Sequence, residues 1–325
     1  LALSLVLGSL VAILLKPNAP TVITNNAPIS AMTPSSITPP PNSVSPMNIT
    51  PTAMPTATMP PMQGMTPPAT KPISTNVFIQ QATSDNTSNN FTVINATLTN
   101  KNPNAGIFTT QNVTPGGNGQ QFNPHETGVW FENQNWAAFN EDDMQIPQQS
   151  AFNVWIPKDS KVTFIQQATT ANISGGGTAI NNPLVNNNPN AILLVTQDWD
   201  PNGNGGVFDP HPVGTAYDNG SWVIFNEDGA AMPPQASFNV HVLSASNTNF
   251  VQTANDANMK NGATVIDNAT INNNPHAIIF ITQTWNPGGT SGVYNSHAVG
   301  VAFNGTNWEI VNEDQTPIPQ GAAFN

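Results

Sequence analysis

The sequence is dominated by a pattern that is written three times at a fixed spacing of 86 residues. The register is visible at phenylalanine, proline, glutamine, histidine and tryptophan positions and in a recurring Asn-Glu-Asp tripeptide. These anchors are Phe78, Phe164 and Phe250; Pro103, Pro189 and Pro275; Gln111, Gln197 and Gln283; His125, His211 and His297; Trp136, Trp222 and Trp308; and residues 140–142, 226–228 and 312–314. A strict period of this length indicates one folding unit used three times. Tandem copies of one unit favour a protein that extends from a surface, binds multivalently or assembles over one that catalyses a reaction.

Charge is scarce and mostly negative. The chain of 325 residues carries 6 basic and 18 acidic side chains, for a net charge of −12, and has no arginine. Nucleic acid is therefore excluded as an expected partner, because phosphate binding draws mainly on Lys and Arg. The absence of cysteine excludes disulfides and thiolate metal sites. A surface of uncharged polar residues is typical of extracellular proteins and suggests that setting.

Residues 1–15 are almost wholly apolar, and we expect a short helix there. Ser4, Gly8 and Ala12 lie four residues apart, which would place a stripe of small residues on one helical face, where copies could approach closely. Such a helix could be a membrane anchor, the packed core of a filament or the remnant of a signal peptide. The apolar start resembles the mature N-terminus of pilin-type subunits, although Leu5 stands where the bacterial type IV pattern has glutamate.

Residues 16–75 are a linker rich in Pro, Thr and Met. Proline fixes φ and removes a backbone donor, so this composition predicts an extended segment rather than helix or sheet. Six methionines lie within it, and methionine is an adaptable apolar contact residue. The segment is therefore either a free stalk or a strip that packs against neighbours.

The repeats occupy residues 76–157, 158–245 and 246–325. Alternating apolar and polar residues and frequent turn signals predict six or seven short strands in each, without a helix of useful length. We expect strands at residues 277–282 and hairpins at Asn219-Gly220 and Asn304-Gly305. The predicted fold is all-β, with three tandem antiparallel β-sandwich repeats. Short connections between the repeats predict tight spacing.

Each repeat closes on a Phe-Asn strand, at Phe152, Phe238 and Phe324. The first two copies continue with Val-Trp-Ile and Val-His-Val, whereas the third stops at Asn325. Either the natural chain continues or the third repeat has an unfinished edge, which is a template for strand addition. We favour the continuing chain.

The histidine of each repeat, together with the Glu-Asp pair that follows it, forms a candidate metal or glycan site. The candidate residues are His125, Glu141 and Asp142; His211, Glu227 and Asp228; and His297, Glu313 and Asp314. Imidazole and carboxylate groups are zinc ligands. The alternative, which we favour, is that Asn-Glu-Asp is a turn whose side chains bond backbone donors.

Two further sets of residues are candidates for binding. Asp198, Asp200 and Asn202 place oxygens on alternate residues, as at the start of a calcium loop, but the downstream glutamate is missing. No other cofactor is expected. The repeated tryptophans would suit sugar stacking if exposed, although a tryptophan on an alternating strand usually belongs to the core, which we favour. Asn86 and Asn172 each begin a possible glycosylation triplet, and the two lie at the same register position of the first two repeats.

The repeat combines Gln-x-(Trp/Val)-x-Pro-x-Gly, His-x-x-Gly, Asn-Glu-Asp and a closing Phe-Asn. It resembles an uncharacterised tandem β-repeat family of secreted bacterial proteins. The resemblance covers about 250 residues, excludes residues 1–75 and implies an extracellular setting. It implies no activity and assigns no functional residues.

These observations predict a structural subunit of an extracellular filament or surface appendage that self-assembles through its N-terminal region. The alternative is a membrane-anchored adhesin whose three β-domains bind glycans multivalently. The expected partners are other copies of the chain and, in the alternative, glycans or a neighbouring surface. No catalytic triad, phosphate-binding loop or zinc-protease motif is present, so we do not expect an enzyme.

Overall fold

The computed structural model describes residues 72–325 apart from Gly175 and Asn204, and this part is built from strands and short 3-10 turns. The first repeat contains β1 Val77–Gln81, β2 Thr87–Ser88, β3 Phe91–Ile94, β4 Phe108–Asn112, β5 Thr127–Glu132, β6 Asn135–Asn140 and β7 Ala151–Trp155. The second contains β8 Thr163–Gln167, β9 Ile173–Ser174, β10 Gly177–Ile180, β11 Ile192–Asp198, β12 Val213–Asp218, β13 Ser221–Asn226 and β14 Ser237–Leu243. The third contains β15 Gln252–Thr253, β16 Met259–Lys260, β17 Ala263–Ile266, β18 Gln283–Thr284, β19 Val299–Phe303, β20 Trp308–Asn312 and β21 Ala323–Phe324. The expected helix at 1–15 and the linker at 16–75, up to residue 71, lie outside the described residues.

Each repeat is a small β-sandwich, as the sequence predicts. Its first, seventh and fourth strands form one half-sheet, and its second, third, sixth and fifth strands form the other. Apolar side chains of one repeat fill the space between its two half-sheets. The buried tryptophan and the phenylalanine of the closing strand are central in each core; the pairs are Trp136 and Phe152, Trp222 and Phe238, and Trp308 and Phe324.

The half-sheets do not end at the boundary of a repeat. The fifth strand of one repeat pairs in parallel with the fourth strand of the next, so that every sheet has seven strands from two repeats. The joints are β5 with β11, β12 with β18, and β19 with β4. Pairing within a repeat is antiparallel, as predicted, and the parallel joints are an additional feature.

These joints close a ring. Repeat 1 pairs with repeat 2, repeat 2 with repeat 3, and repeat 3 returns to repeat 1 through Gly300 and Gln111. Because the same two edges recur in every repeat, each repeat uses its fifth strand to pair with the next repeat and its fourth strand to pair with the one before. Closure also protects the inner edges of the sandwiches, which would otherwise be open to pairing with other chains.

Local turn chemistry agrees with the sequence at the hairpins. Asn219 and Gly220 both have positive φ, at 47° and 87°, as a two-residue type I′ turn between β12 and β13 requires. In the third repeat, β19 and β20 flank the turn at Asn304-Gly305.

The strand expected at residues 277–282 is absent, and only β18, Gln283–Thr284, forms there. The equivalent strand β11 in the second repeat has seven residues and pairs along its length with β14. In the third repeat the closing strand is only Ala323–Phe324, so residues 277–282 have no long partner strand. The apolar pattern of residues 277–282 suits a β-strand, but a strand forms only where a neighbouring strand is available for backbone pairing.

Candidate functional site at the joints between repeats

Three histidines each contact the aspartate of the nearby Asn-Glu-Asp tripeptide. The Nδ1–Oδ2 distances are 2.6 Å for His125 and Asp142, 2.7 Å for His211 and Asp228, and 2.8 Å for His297 and Asp314. These side chains are 21–38% exposed, so the three pairs are accessible at the surface. The aspartates also accept backbone hydrogen bonds two residues later, as at Met144, which is the turn role expected for them.

The glutamate that precedes each aspartate points away from the histidine and into the joint with the next repeat. Glu141 Oε2 accepts from the backbone N–H of Asp209 at 3.2 Å, and Glu227 Oε2 accepts from that of Asn295 at 3.2 Å. Glu313 closes the cycle by accepting from Asn123 at 2.9 Å. The structure therefore brings histidine and aspartate together and gives the glutamate a separate, buried position.

A glycine makes room for each glutamate. Gly128, Gly214 and Gly300 belong to the His-x-x-Gly motif, and a Cβ at any of them would collide with the carboxylate of the glutamate in the same repeat. A larger residue would force the carboxylate out of the joint. The fixed spacing between His-x-x-Gly and Asn-Glu-Asp is thus explained by packing.

Burial changes the protonation of these carboxyl groups. Removal from water raises the pKa of Glu227 and of Glu313 to about 8 in each case, although each accepts a backbone hydrogen bond that acts in the opposite direction. Burial likewise raises the pKa of Glu141 well above its ordinary value. Neutral glutamic acids in the joints are the expected form at mildly acidic pH.

Amide side chains line the same joints. In repeat 1, Gln111 Nε2 donates to the carbonyl of His125 at 3.0 Å, and Asn123 Nδ2 donates to Gln111 Oε1 at 2.9 Å and Asn140 Oδ1 at 2.8 Å. Repeat 3 has the same network, whereas repeat 2 has Asp209 at the position of Asn123. Burial raises the pKa of Asp209 to about 7.

The fourth strands meet around the centre of the ring through threonine hydroxyls. Thr196 Oγ1 accepts from the N–H of Thr109 at 3.1 Å, Thr282 Oγ1 accepts from Val195 at 2.8 Å, and Thr110 Oγ1 accepts from Ile281 at 3.1 Å. We call Thr110, Thr196 and Thr282 the threonine ring. A cavity of about 50 Å³ adjoins it, with room for a few water molecules. Sequence reasoning missed these threonines, although they immediately precede the repeated glutamines.

The asparagine of each closing Phe-Asn also bonds across the ring. Asn153 Nδ2 donates to the carbonyl of Ile279 at 2.8 Å, Asn239 to Ile107 at 3.3 Å and Asn325 to Leu193 at 3.0 Å. Each of these bonds joins two repeats. The Phe-Asn motif therefore combines a core phenylalanine with an inter-repeat asparagine.

The candidate calcium residues lie at the joint between repeats 1 and 2. Asp200 Oδ1 accepts from the N–H of Phe131 at 2.8 Å, while Asp198 is buried in β11 and Asn202 lies in the 3-10 turn Pro201–Gly203. The pKa of Asp198 is raised to about 8, mainly by burial and secondly by the neighbouring charge of Asp200. Burial also raises the pKa of Asp200 to about 7.

Within residues 72–325, leaving out Gly175 and Asn204, no group of three or more His, Cys, Asp or Glu side chains is placed to hold a metal ion. The His–Asp pairs supply two ligands each.

The repeated tryptophans are core residues, which confirms the favoured interpretation. Trp136, Trp222 and Trp308 are at most 1% exposed. Each indole N–H donates to a backbone carbonyl of its own repeat at 2.9 Å. They present no stacking surface for a sugar.

Asn86 and Asn172 each use their side-chain amide to hold a turn, donating to Gln81 and Gln167 at 2.9 Å. The expected assembly residues Ser4, Gly8 and Ala12 lie outside the described residues.

The fold and its joints define a class of protein: a closed module of three β-sandwich repeats that share their sheets. A family model described as Domain of unknown function (DUF7452) matches the chain three times in tandem, at residues 68–148, 132–242 and 219–325. The chain belongs to this family. No curated protein and no solved structure matches it.

Among the residues that the structure describes, from 72 to 325 with two gaps, no helix has the length and apolar character needed to cross a bilayer.

Proposed function

We propose that this chain is a structural subunit of an extracellular filament or surface appendage. In this proposal it self-assembles through its N-terminal region and displays the closed β-module. The supporting observation is that the repeated polar residues bond one repeat to another, as the glutamates and the threonine ring do. A module whose recurring residues hold it together suits display and mechanical support better than turnover of a substrate.

The N-terminal sequence supplies the second argument. Residues 1–15 carry no charge and contain the small-residue series Ser4, Gly8 and Ala12. Small residues at this spacing permit close helix contacts in an apolar setting. The charged residues are concentrated in the repeats, so the apolar start would collect in the interior of an assembly while the β-modules face water.

The state of assembly of the purified chain tests this proposal. The full chain with an intact N-terminus should form regular polymers in detergent-free buffer, visible by electron microscopy. Gly8→Leu should reduce polymer formation because it fills the small-residue face, whereas Val6→Leu is a matched control off that face. A full chain that stays monomeric would overturn the proposal.

A membrane-anchored adhesin is the second candidate, and the three exposed His–Asp pairs favour it. They recur at the same register position of each repeat, so a closed ring would present them together. Three weak sites on one rigid module would bind a multivalent glycan with raised avidity. A glycan array probed with the full chain should then show signals that disappear in the triple variant His125→Ala, His211→Ala and His297→Ala. An array without any signal would count against this candidate.

A further inference from the structure

Two of the three repeats build the same buried pair of amide side chains beside a joint. In repeat 1, Asn123 Nδ2 donates to Asn140 Oδ1 at 2.8 Å, and Asn140 Nδ2 donates back to Asn123 Oδ1 at 3.1 Å. Asn295 and Asn312 make the same reciprocal pair in repeat 3, at 2.8 Å and 3.1 Å. All four side chains are at most 2% exposed, so their donors and acceptors have to be matched within the protein.

Repeat 2 has Asp209 at the first position of this pair. Asn226 Nδ2 donates to Asp209 Oδ1 at 2.9 Å, which is the counterpart of the bond from Asn140 to Asn123. The register then puts Asp209 Oδ2 where the asparagines have their Nδ2 donor, opposite Asn226 Oδ1. Both of these oxygens are buried, and neither has a hydrogen-bond partner in the described part of the chain. Two such oxygens can form a hydrogen bond only if one of them carries a proton.

A proton on Asp209 completes the pair. A carboxylic acid has one O–H donor and one carbonyl acceptor, so it can replace the amide of asparagine in a reciprocal pair. The pKa of Asp209 is raised to about 7, mainly by burial. The bond from Asn226 and the charge of His211 act in the opposite direction, and the charge of Asp228 adds to the rise. Loss of the proton leaves two bare oxygens facing each other.

Repeat 1 faces Asp209 with two further carboxyl groups. The N–H of Asp209 donates to Glu141 Oε2 at 3.2 Å across the joint, and Glu126 lies close enough for the charge of Asp209 to affect it. Burial is the main reason that the pKa of both glutamates is raised. The other repeats have Pro212 and Ala298 at the position of Glu126. Deprotonation therefore gathers more negative charge at the joint between repeats 1 and 2 than at the other two joints.

Two more aspartates of repeat 2 replace asparagines at the same joint. Asp198 has the position of Asn112, whose Nδ2 donates to Asn153 Oδ1 at 2.9 Å in repeat 1. Asp200 has the position of Asn286, whose Nδ2 donates to a backbone carbonyl of the preceding repeat at 2.8 Å. Acceptor groups thus stand at this joint where other repeats use amide donors.

We propose that the joint between repeats 1 and 2 is a proton-dependent latch, in which protonated Asp209 donates to Asn226 and keeps the ring closed. Loss of the proton would open this joint, at the pairing of β5 with β11, before the other two. Opening would turn the ring into a string of repeats and free the edges of β5 and β11 for pairing with another copy of the chain. The latch rests on the comparison of the repeats with one another and does not depend on the filament proposal.

The direction of the pH effect follows from the place of the proton. In an open joint Asp209 is in water and has its ordinary pKa of 3.8, whereas in the closed joint its pKa is about 7. Its contribution to closure is therefore complete below pH 3.8 and is lost as pH rises through 7. Between these values the open population should rise by about tenfold per pH unit for this one proton.

Hydrogen exchange at three equivalent backbone amides measures the latch. Val113, Trp199 and Trp285 each donate a backbone hydrogen bond across one joint, at 2.8–3.0 Å. Protection factors, which are corrected for the pH dependence of intrinsic exchange, are determined for the full chain by mass spectrometry at pH 5 and pH 8. Every joint has a buried glutamate, so the additional loss at Trp199 is the signature of the latch. Trp199 should lose about tenfold more protection than the other two amides. Equal losses at all three would overturn the proposal.

Two reciprocal variants assign the effect to the acid–amide pair. Asp209→Asn rebuilds the amide pair of the other repeats, so protection of Trp199 at pH 8 should rise by about tenfold or more, with the smallest change at pH 5. Asn295→Asp moves the acid to the joint between repeats 2 and 3, where an additional loss should then appear at Trp285. An unchanged pH profile in either variant would overturn the proposal. Millimolar calcium at pH 8 is the last control, because restored protection of Trp199 would mean that the joint needs a cation rather than a proton and would also overturn it.

Discussion

At the residue scale, Glu141, Glu227 and Glu313 show how one buried carboxyl can be tolerated in each repeat. Each accepts a backbone N–H from the following repeat and occupies space left by a glycine. A buried carboxyl avoids the cost of burying charge by taking up a proton, which is why its pKa rises. The joints are therefore coupled to pH.

The sign of this coupling follows from the shifted pKa values. Glu227 and Glu313 titrate near 8 in the folded chain and near 4.5 when unfolded. Between these values the folded chain holds protons that the unfolded chain has released. The contribution of these two glutamates to the free energy of unfolding should therefore be greatest below about pH 4.5 and should fall as pH rises through 8.

Glu313→Gln should weaken this dependence. Glutamine keeps an oxygen for the N–H of Asn123 and remains neutral at every pH, so the variant should differ least from the parent near pH 5 and exceed it most at pH 9. We expect a gain on the order of 1 kcal/mol or more at pH 9, or roughly 2–4 °C in the thermal midpoint. Thermal unfolding across pH 5 to 9 measures it. Parallel curves for parent and variant would contradict the assignment.

Gly300→Ala should destabilise the module through a single methyl group. The added Cβ would collide with the Glu313 carboxylate, and overpacking of this kind costs about 1–3 kcal/mol. A double-mutant cycle with Glu313→Ala identifies the cause, because removal of the carboxylate should relieve much of the cost. Denaturant unfolding of the four proteins provides the comparison. Strictly additive effects would mean that the collision is not the reason.

Residue roles were only partly predictable from the sequence. The tryptophans were expected in the core, because they recur on alternating strands, and they lie there. The metal or glycan hypothesis grouped Glu141 and Asp142 in one site, yet they face different surroundings because they are the two central residues of a turn, closed by the hydrogen bond from the N–H of Asp143 to the carbonyl of Asn140. The threonine ring could not be foreseen, since its hydroxyls bond groups in another repeat.

At the element scale, the fourth strands of the three repeats depend on one another. Each is bonded through a threonine hydroxyl to a backbone N–H of a neighbouring fourth strand or of the segment leading into it. This cycle lies at the centre of the ring, where sequence-distant residues meet.

Thr196→Val should therefore destabilise the whole module, since it leaves the N–H of Thr109 without its acceptor while conserving side-chain shape. The loss of a buried partner costs about 1–3 kcal/mol. Thr196→Ser retains the hydroxyl and is the control, with a smaller expected loss. Urea unfolding followed by tryptophan fluorescence distinguishes the two. An equal loss in both variants would contradict this role of the hydroxyl, since Thr196→Ser keeps the acceptor that Thr196→Val removes.

Strand prediction succeeded where both neighbours of a strand are present and failed where one is missing. Alternation and turn residues located the hairpin β12–β13 and the closing strands correctly. Residues 277–282 carry the same apolar pattern as β11 but lack its long partner. Local pattern predicts the capacity for a strand, whereas pairing determines whether it forms.

At the scale of the whole molecule, the repeat period predicted three units but not their closure. A tandem repeat can extend as a solenoid or close on itself, and the direction of the joint decides between these outcomes. Here the loop of one repeat packs on the preceding repeat in cyclic order, with Gly203 beside Pro103, Gly289 beside Pro189 and Gly117 beside Pro275. The first and third repeats are neighbours for this reason.

Intramolecular cross-linking tests this closure most directly. The chain has no cysteine, so the substitutions Asn118→Cys and His276→Cys create a single pair of cysteines. The pair lies at the contact between repeats 1 and 3, where His276 is beside Gly116. Asn118→Cys with Asn190→Cys is the matched control, since Asn190 has the same register in repeat 2 and lies beside Gly288 instead. With a short bis-maleimide at low protein concentration, a closed ring predicts an intrachain link for 118–276 and little for 118–190. No intrachain 118–276 link, or links of equal yield in both pairs, would mean an open or flexible string of repeats and would contradict the ring.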